Sequence, residues 1–188
     1  MDGRREIEVK FRVDSFAEVR ARLVALNAEL VGRSHETNLC FDDDAESLRA
    51  EGKLLRLRQD DRVRLTFKAK LEGIGLTSEL FKARREIETE VSDFAASRQI
   101  LEALGYGVSV AYEKDRETWR LGRATICLDK LDFGQYVEFE WLSDGSWGEQ
   151  ADEPAELAVI VARLGFDLSR GISASYIQLQ RDHELARG

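Results

Sequence analysis

Charged side chains in this sequence recur in pairs that are separated by one residue, which is apolar in every pair described here except Lys114 and Arg116. The first stretch, "EIEVKF", carries Glu6, Glu8 and Lys10, with Ile7 and Val9 between them. Strict alternation of polar and apolar residues is typical of a β-strand, whose successive side chains point to opposite faces. One face of this strand is therefore apolar, and the other carries two carboxylates and an ammonium group. The same spacing returns at Arg56 and Arg58, Glu86 and Glu88, Lys114 and Arg116, and Glu138 and Glu140.

Pairs of this kind could bind a metal ion and a phosphate chain together. Carboxylates two residues apart on a strand are separated by about 6.6 Å. Oxygens from neighbouring strands can therefore converge on a hard divalent ion such as Mg²⁺ or Mn²⁺. Arginine presents a planar fork that suits phosphate oxygens. A metal held by carboxylates, opposite arginine and lysine, is the arrangement expected for a polyphosphate site. Zinc is not expected, because His35 and His183 are the only histidines and no Cys/His cluster exists.

The alternation leaves two interpretations of where the charged faces lie. They could face solvent on the outside of a sandwich, which is common for a single strand, or they could line a lumen. Same-sign pairs favour the lumen, because like charges two residues apart repel on a solvated face. The amphipathic helix expected in 14–30 also favours it, because its apolar stripe needs an apolar sheet face to cover. The stripe consists of Phe16, Val19, Leu23 and Leu26.

The second interpretation predicts a barrel with a charged interior. The predicted interior cations are Lys10, Arg56, Arg58, Lys68, Lys114 and Arg116. The predicted interior anions are Glu6, Glu8, Glu86, Glu88, Asp129, Glu138 and Glu140. An interior lined with charge is costly unless those groups bind something, so the lumen is also the predicted functional site.

An internal repeat sets the fold class. Glu6 and Glu8 correspond to Glu86 and Glu88, and Phe16 corresponds to Phe94. Each half, 4–83 and 84–150, reads as strand–helix–strand–strand–strand, and C-terminal helices follow in 153–188. Two such halves predict a single α+β domain, 1–188, in which helices pack outside an eight-stranded antiparallel β-barrel tunnel. The loop at 71–82 is expected to be either a flap over the lumen or a plain surface loop.

Composition limits the partners of the chain. Its 188 residues suffice for one sizeable domain, and the formal net charge of −8 argues against nucleic acid or an anionic membrane. No apolar run approaches about 18 residues, and no signal segment is visible, so we expect a cytoplasmic protein. Cys40 and Cys127 are isolated and are expected to be reduced thiols. A homodimer is the assembly expected from how common dimers are.

With these pairs in this order, the sequence resembles the CYTH superfamily. These are the triphosphate tunnel metalloenzymes, which include class IV adenylate cyclases, thiamine triphosphatases and inorganic triphosphatases. The resemblance rests on an ExExK motif at "EIEVK", on the later RxR, KxR and ExE pairs, and on "SYIQL", which is similar to the family's C-terminal SYxxLL segment. It extends from residue 5 to residue 176. It implies an eight-stranded tunnel along which a nucleoside triphosphate or tripolyphosphate is threaded.

The resemblance also implies roles for the interior residues. The carboxylates that would hold Mg²⁺ or Mn²⁺ are Glu6, Glu8, Asp129, Glu138 and Glu140. The cations that would grip phosphate oxygens are Lys10, Arg56, Arg58, Lys68, Lys114 and Arg116. Glu86 and Glu88 would orient the basic residues or hold a second metal ion. The candidate catalytic residues are Glu8, Lys10 and Glu88. No serine or histidine nucleophile is required, because this chemistry depends on positioning and charge neutralisation.

The reaction type stays open between two classes. In hydrolysis, a water molecule activated by the metal or by a carboxylate such as Glu8 attacks the terminal phosphorus. In cyclisation, the ribose 3′-hydroxyl of ATP attacks the α-phosphorus, and pyrophosphate leaves. The complete RxR and second ExE pairs favour hydrolysis of a triphosphate, with class IV adenylate cyclase activity as the alternative. A non-catalytic binder of polyphosphate or nucleotide is less favoured, because no metal carboxylate is missing.

Overall fold

The computed structural model describes residues 4–70, 82–143, 153–172 and 174–187. Its strands are β1 (Arg4–Val13), β2 (Glu29–Asp42), β3 (Lys53–Gln59), β4 (Val63–Lys70), β5 (Lys82–Val91), β6 (Gly107–Leu121), β7 (Ala124–Leu131) and β8 (Gly134–Ser143). Its α-helices are α1 (Ala17–Ala25), α2 (Ser47–Ala50), α3 (Phe94–Ala103), α4 (Glu153–Arg163) and α5 (Tyr176–Arg187). A 3₁₀-helix covers Leu168–Arg170. The loop considered as a flap lies, apart from Lys82, outside the described residues.

The eight strands close into one antiparallel ring. Their order around the ring is β1–β5–β4–β3–β2–β6–β7–β8, and each neighbouring pair is antiparallel. The predicted eight-stranded antiparallel barrel is therefore confirmed. In both halves of the chain, one strand is followed by a helix and then by three strands, with the four-residue α2 added in the first half.

The main apolar core lies outside the ring, between the sheet and helices α1 and α4. Ile7 and Val9 of β1 are at most 2 % exposed and pack in one cluster with Leu23 of α1 and Leu157 of α4. This confirms that the apolar faces of the strands point outward toward the helices. Since alternate side chains of a strand point to opposite faces, the charged residues between them must point into the barrel.

A second apolar cluster covers the opposite side of the barrel. Leu39 of β2 and Leu57 of β3 are buried there against Leu101 of α3. Helix α3 begins with a side-chain cap, in which Asp93 accepts a hydrogen bond of 2.9 Å from the backbone N–H of Ala96. Helices α1 and α3, which follow the first strand of each half, therefore both cover outward-facing apolar residues.

Helix α1 is shorter than the predicted helix in 14–30. Asn27 has a φ of 55°, in the left-handed region that ends a helix, and β2 starts two residues later. The prediction of its apolar stripe is nevertheless confirmed, because these side chains all belong to or pack against the main cluster. They are Phe16, Val19, Leu23 and Leu26.

The C-terminal part contributes one covering helix and one helix that reaches the barrel interior. Helix α4 ends just before Gly165, whose φ of 77° suits glycine. Helix α5 starts at Tyr176, which is buried among inward-facing residues of the strands, including Cys40 and Tyr112. Among the helices of the described ranges, none has both the length and the apolar character needed to cross a membrane.

Candidate active site

The charged faces of the strands enclose one cavity inside the barrel, with a volume of about 710 Å³. Every predicted interior residue lines it except Asp129, whose side chain is fully buried. Glu6, Arg58 and Glu138 come from three strands that are not all neighbours, and they face this same space. The structure therefore brings the predicted cations and anions together.

Strands β1 and β8 form the acidic wall of the cavity. In their antiparallel register, Glu8 lies directly opposite Glu140, and Lys10 lies opposite Glu138. Two carboxylates in this position repel each other unless one is protonated or a cation is shared. Burial raises the pKa of Glu140 to about 7, because Arg116 offsets the cost of burial only in part. Two opposed carboxylates, one of which lacks full compensation, suit a hard divalent ion such as Mg²⁺ or Mn²⁺.

Lysine and arginine side chains pair with the carboxylates of this wall. Glu138 contacts Lys10 through Oε1 at 2.5 Å, and its Oε2 accepts a hydrogen bond of 2.7 Å from Arg116. Lys68 donates to Glu6. Burial alone would raise the pKa of Glu138, but Lys10 and Arg116 hold it well below its usual range. Within the described ranges, no three carboxylate, thiol or imidazole groups converge on one point.

Strands β2, β3 and β6 form the basic wall, and its cations surround a buried carboxylate, Glu36. Arg58 Nη1 and Lys114 Nζ each lie 3.4 Å from Glu36, and Arg116 Nε lies 3.8 Å away. Burial raises the pKa of Glu36, but these cations outweigh it and hold the pKa well below the usual range. Among the described residues, Glu36 Oε2 and Arg56 Nε are buried without a hydrogen-bond partner. Glu36 Oε2 still lies 3.4 Å from Lys114 Nζ, so the N–H of Arg56 Nε is the group available to a ligand.

Asp129 fixes the orientation of the basic wall. Arg116 donates to it from Nε and from Nη2, both at 2.6 Å. Lys114 Nζ and the Tyr176 hydroxyl donate to its Oδ2 at 3.1 and 2.8 Å. A buried carboxylate surrounded by four donors is fully satisfied. This arrangement favours a role for Asp129 in orienting Arg116 and Lys114 over the metal-ligand role predicted for it.

Tyr176 forms one end of the cavity. Its ring lies 4.4 Å from Lys10 Nζ and 5.1 Å from Lys114 Nζ, at distances typical of cation–π contacts. The ring also packs against Tyr112 and Tyr136, which point inward from β6 and β8. The start of α5 therefore holds two of the predicted phosphate-binding lysines in place.

Glu86 and Glu88 of β5 lie in a more open part of the cavity lining. Glu88 is exposed and accepts a hydrogen bond of 2.8 Å from the Thr66 hydroxyl. Glu86 lies 3.5 Å from Lys68 Nζ, which also contacts Glu6. Lys68 thus links β5 to the acidic wall, and Glu86 is suited to orient it.

Several residues of the cavity were not identified from the sequence. Arg64 and Arg84 continue the two-residue spacing of their strands and could have been found from it. Glu36 has no like-charged neighbour two residues away, and Tyr176 lies on a helix, so neither shows the pair spacing. Only the register of β2 against β6, which places Glu36 beside Lys114, reveals the role of Glu36.

Comparison with known proteins gives one family and several relatives. The CYTH domain family matches residues 4–158. The adenylate cyclase CyaB of Aeromonas hydrophila is 27 % identical over 179 residues, which covers 93 % of this chain and 87 % of the relative. The match extends over all eight strands and the cavity that they enclose.

Two solved structures show the same fold. A candidate adenylate cyclase from Vibrio parahaemolyticus superposes with a TM-score of 0.80 at 22 % identity, covering 95 % of this chain and 99 % of the other. HpAC1 from Hippeastrum, an adenylyl cyclase candidate with a dominant triphosphatase activity, gives a TM-score of 0.64 at 19 % identity. That superposition covers 95 % of this chain and 96 % of HpAC1.

Proposed function

This chain belongs to the CYTH domain family, and on that basis we propose that it is a divalent-metal-dependent enzyme that hydrolyses a triphosphate. The substrate class comprises inorganic tripolyphosphate and nucleoside or thiamine triphosphates. The observation that carries the proposal is the interior cavity of the barrel, in which an acidic wall faces a basic wall. A polyphosphate needs the cations, and its metal counter-ion needs the carboxylates.

The cations that line the cavity would bind the phosphate chain. Lys10, Lys68 and Lys114 offer point charges, while arginines offer paired N–H groups that match phosphate oxygens. The arginines proposed for this role are Arg56, Arg58 and Arg116. Because these side chains come from four strands of one closed ring, their positions are fixed before the ligand arrives. Such preorganisation is what stabilises the charge that develops in phosphoryl transfer.

The acidic wall would hold Mg²⁺ or Mn²⁺ through Glu6, Glu8, Glu138 and Glu140. When bound, such an ion neutralises charge on phosphate oxygens and lowers the pKa of water. Glu8 is the carboxylate we assign to accept the proton of the attacking water. As the water oxygen bonds to the terminal phosphorus, the bridging P–O bond breaks, and its oxygen leaves with the remaining phosphates.

Lys10 and Glu88 have different places in this scheme. Lys10 is buried between the two walls, near Glu138 and Tyr176, so we assign it to neutralise charge on the reacting phosphoryl group. Glu88 is exposed and bonded to Thr66, so we assign it an orienting role at the margin of the site rather than proton transfer.

Cyclisation of ATP to cyclic AMP and pyrophosphate is the second candidate function. The observation that favours it is the 27 % identity to the adenylate cyclase CyaB over 93 % of this chain. The same cavity would bind the metal ion and the triphosphate of ATP. The ribose 3′-hydroxyl would replace water as the nucleophile, and it would attack the α-phosphorus.

Product analysis separates these functions. The pure protein is incubated with Mg²⁺ or Mn²⁺ and with tripolyphosphate, ATP or thiamine triphosphate in turn. Orthophosphate as the product supports the hydrolase, whereas pyrophosphate with cyclic AMP supports the cyclase. Absence of both across the panel, with binding retained, contradicts both enzymes and supports a non-catalytic binder.

A further inference from the structure

Arg116 has more carboxylate partners than any phosphate-binding role requires. Its guanidinium donates twice to Asp129, and Nη2 also donates to Glu138 at 2.7 Å. Nη1 lies 3.4 Å from Glu140, and Nε lies 3.8 Å from Glu36. The residue is 9 % exposed. One cation thus neutralises carboxylates of both walls.

Two of these partners are carboxylates assigned to the metal. Both oxygens of Glu138 are engaged, one by Lys10 and one by Arg116. Oε1 of Glu140 contacts Arg116 Nη1 at 3.4 Å and Cys127 Sγ at 3.9 Å. A carboxylate that accepts charge-assisted hydrogen bonds on both oxygens is a weaker metal ligand, because the positive charge of its partners repels the incoming metal ion.

A cation that leaves these carboxylates loses part of its compensating charge: Lys10 loses its ion pair with Glu138, and Arg116 keeps Asp129 as its main partner. Separating a buried ion pair is unfavourable, because each charge is then less well compensated. An anionic ligand in the cavity supplies a new partner. Phosphate oxygens are well matched to the guanidinium fork of Arg116 and to the ammonium of Lys10.

We propose that Arg116, assisted by Lys10, is an exchangeable counter-ion that couples the binding of metal and triphosphate. This rests on the proposed function, because it deepens the roles assigned to the same cavity. Metal binding by Glu138 and Glu140 releases Arg116 and Lys10 to the phosphate chain, and the phosphate chain draws them away from the carboxylates. Each ligand therefore raises the affinity for the other by the same factor.

Arg58 provides a matched control. It also lines the cavity and is assigned to phosphate, but it hydrogen-bonds Asn38 and Glu36, neither of which is assigned to the metal. Arg58→Gln and Arg116→Gln both remove one positive charge from the cavity. Only Arg116→Gln removes a cation from Glu138 and Glu140.

Titration calorimetry on the full-length protein, treated with EDTA, tests the coupling. Mn²⁺ is titrated with and without imidotriphosphate, an analogue whose P–N–P bridges resist hydrolysis, and free concentrations are corrected for the complex that the two form in solution. We expect at least a tenfold gain in Mn²⁺ affinity with the analogue. Equal Mn²⁺ affinities with and without the analogue would overturn the proposal without any variant being needed.

The variants test whether Arg116 is responsible. Arg116→Gln should bind Mn²⁺ alone at least threefold more tightly than the native protein, bind the analogue more weakly and lose most of the coupling. Arg58→Gln should bind the analogue more weakly, with unchanged Mn²⁺ affinity and full coupling. Unchanged or weaker Mn²⁺ binding by Arg116→Gln, with the melting curve intact, would contradict the role of Arg116. None of these readouts needs turnover, so loss of the proposed hydrolysis is detected separately by product analysis.

Discussion

At the residue scale, the paired charges could be identified from the sequence because alternation fixes which side chains share a face. Glu8, Arg58 and Glu138 were placed in one interior on that basis, and the structure brings them to one cavity. Residues without a like-charged neighbour two positions away could not be found in this way. Glu36 and Tyr176 show their function only through neighbours that are distant in the chain. The metal and catalytic roles of the predicted residues stay predictions.

Substituting the acidic wall should remove metal-dependent turnover. Glu8→Gln and Glu140→Gln each keep the shape of the side chain but remove a charged oxygen ligand, so we expect the turnover number to fall about 10²-fold or more. Steady-state kinetics with Mn²⁺ measures this. Glu113→Gln, on the exposed outer face of β6, is the matched control and should retain native activity. Native turnover in Glu8→Gln would reject the metal assignment.

The raised pKa of Glu140 predicts a pH dependence of stability. A carboxyl whose pKa is about 7 in the folded protein, against 4.5 ordinarily, favours the folded state below pH 4.5, and this contribution is lost as the pH rises through 7. Glu140→Gln lacks the titration. The free energy of unfolding of the variant, minus that of the native protein, should therefore increase from pH 5 to pH 8. Urea unfolding after EDTA treatment measures both values.

The control for this measurement is Glu156→Gln, at an exposed position on α4. The difference in free energy of unfolding between Glu156→Gln and the native protein should be the same at pH 5 and at pH 8. A difference for Glu140→Gln that is likewise independent of pH would show that Glu140 ionises as readily in the folded protein as in the unfolded chain.

At the element scale, periodicity identified the strands and covering helices better than it located their ends. The stripe on α1 was correct, but the helix stops at Ala25 because Asn27 adopts a left-handed conformation, which a helical pattern cannot show. The four-residue α2 is too short to have a detectable period. The end of α4, by contrast, is indicated by the sequence, because Gly165 is a residue type that commonly terminates a helix.

Adjacent residues of α1 test the inside-out arrangement of the core. Leu23 is fully buried against the outer face of the barrel, whereas Val24 is 63 % exposed. Leu23→Ala should lower the free energy of unfolding by about 2–5 kcal/mol, because it leaves a cavity beneath the helix. Val24→Ala should change it by less than about 0.5 kcal/mol. Urea unfolding of both variants measures this, and equal effects would show that α1 does not cover the barrel through this face.

At the scale of the whole molecule, closure of the ring makes a charged interior possible. The outward faces bury apolar residues under helices, so the fold has a core without filling the barrel. The inward faces then carry the charges, and their mutual pairing keeps them compatible with burial. Closure was predictable from eight alternating strands, but the entry of α5 into one end of the cavity was not, because no pattern in its sequence indicates what it contacts. Cytoplasmic location and a homodimer stay predictions.

A ligand that bridges the two walls should stabilise the entire fold. If Mn²⁺ and imidotriphosphate bind only the folded protein, a concentration 100-fold above the dissociation constant adds about 2.7 kcal/mol to the free energy of unfolding. The melting temperature should therefore rise in the presence of both ligands, as measured by differential scanning calorimetry. Native protein with inorganic sulfate at equal ionic strength is the control and should show a much smaller rise.

Crystals grown with Mn²⁺ and imidotriphosphate test most directly whether the two walls form one binding site. Anomalous scattering locates manganese independently of the phosphorus atoms. We predict a manganese peak inside the barrel, within about 2.5 Å of carboxylate oxygens of the acidic wall, with the phosphate chain contacting Arg56 and Arg58. A phosphate chain ordered only on the outside of the barrel, with no manganese near Glu6, Glu8, Glu138 or Glu140, would contradict the account.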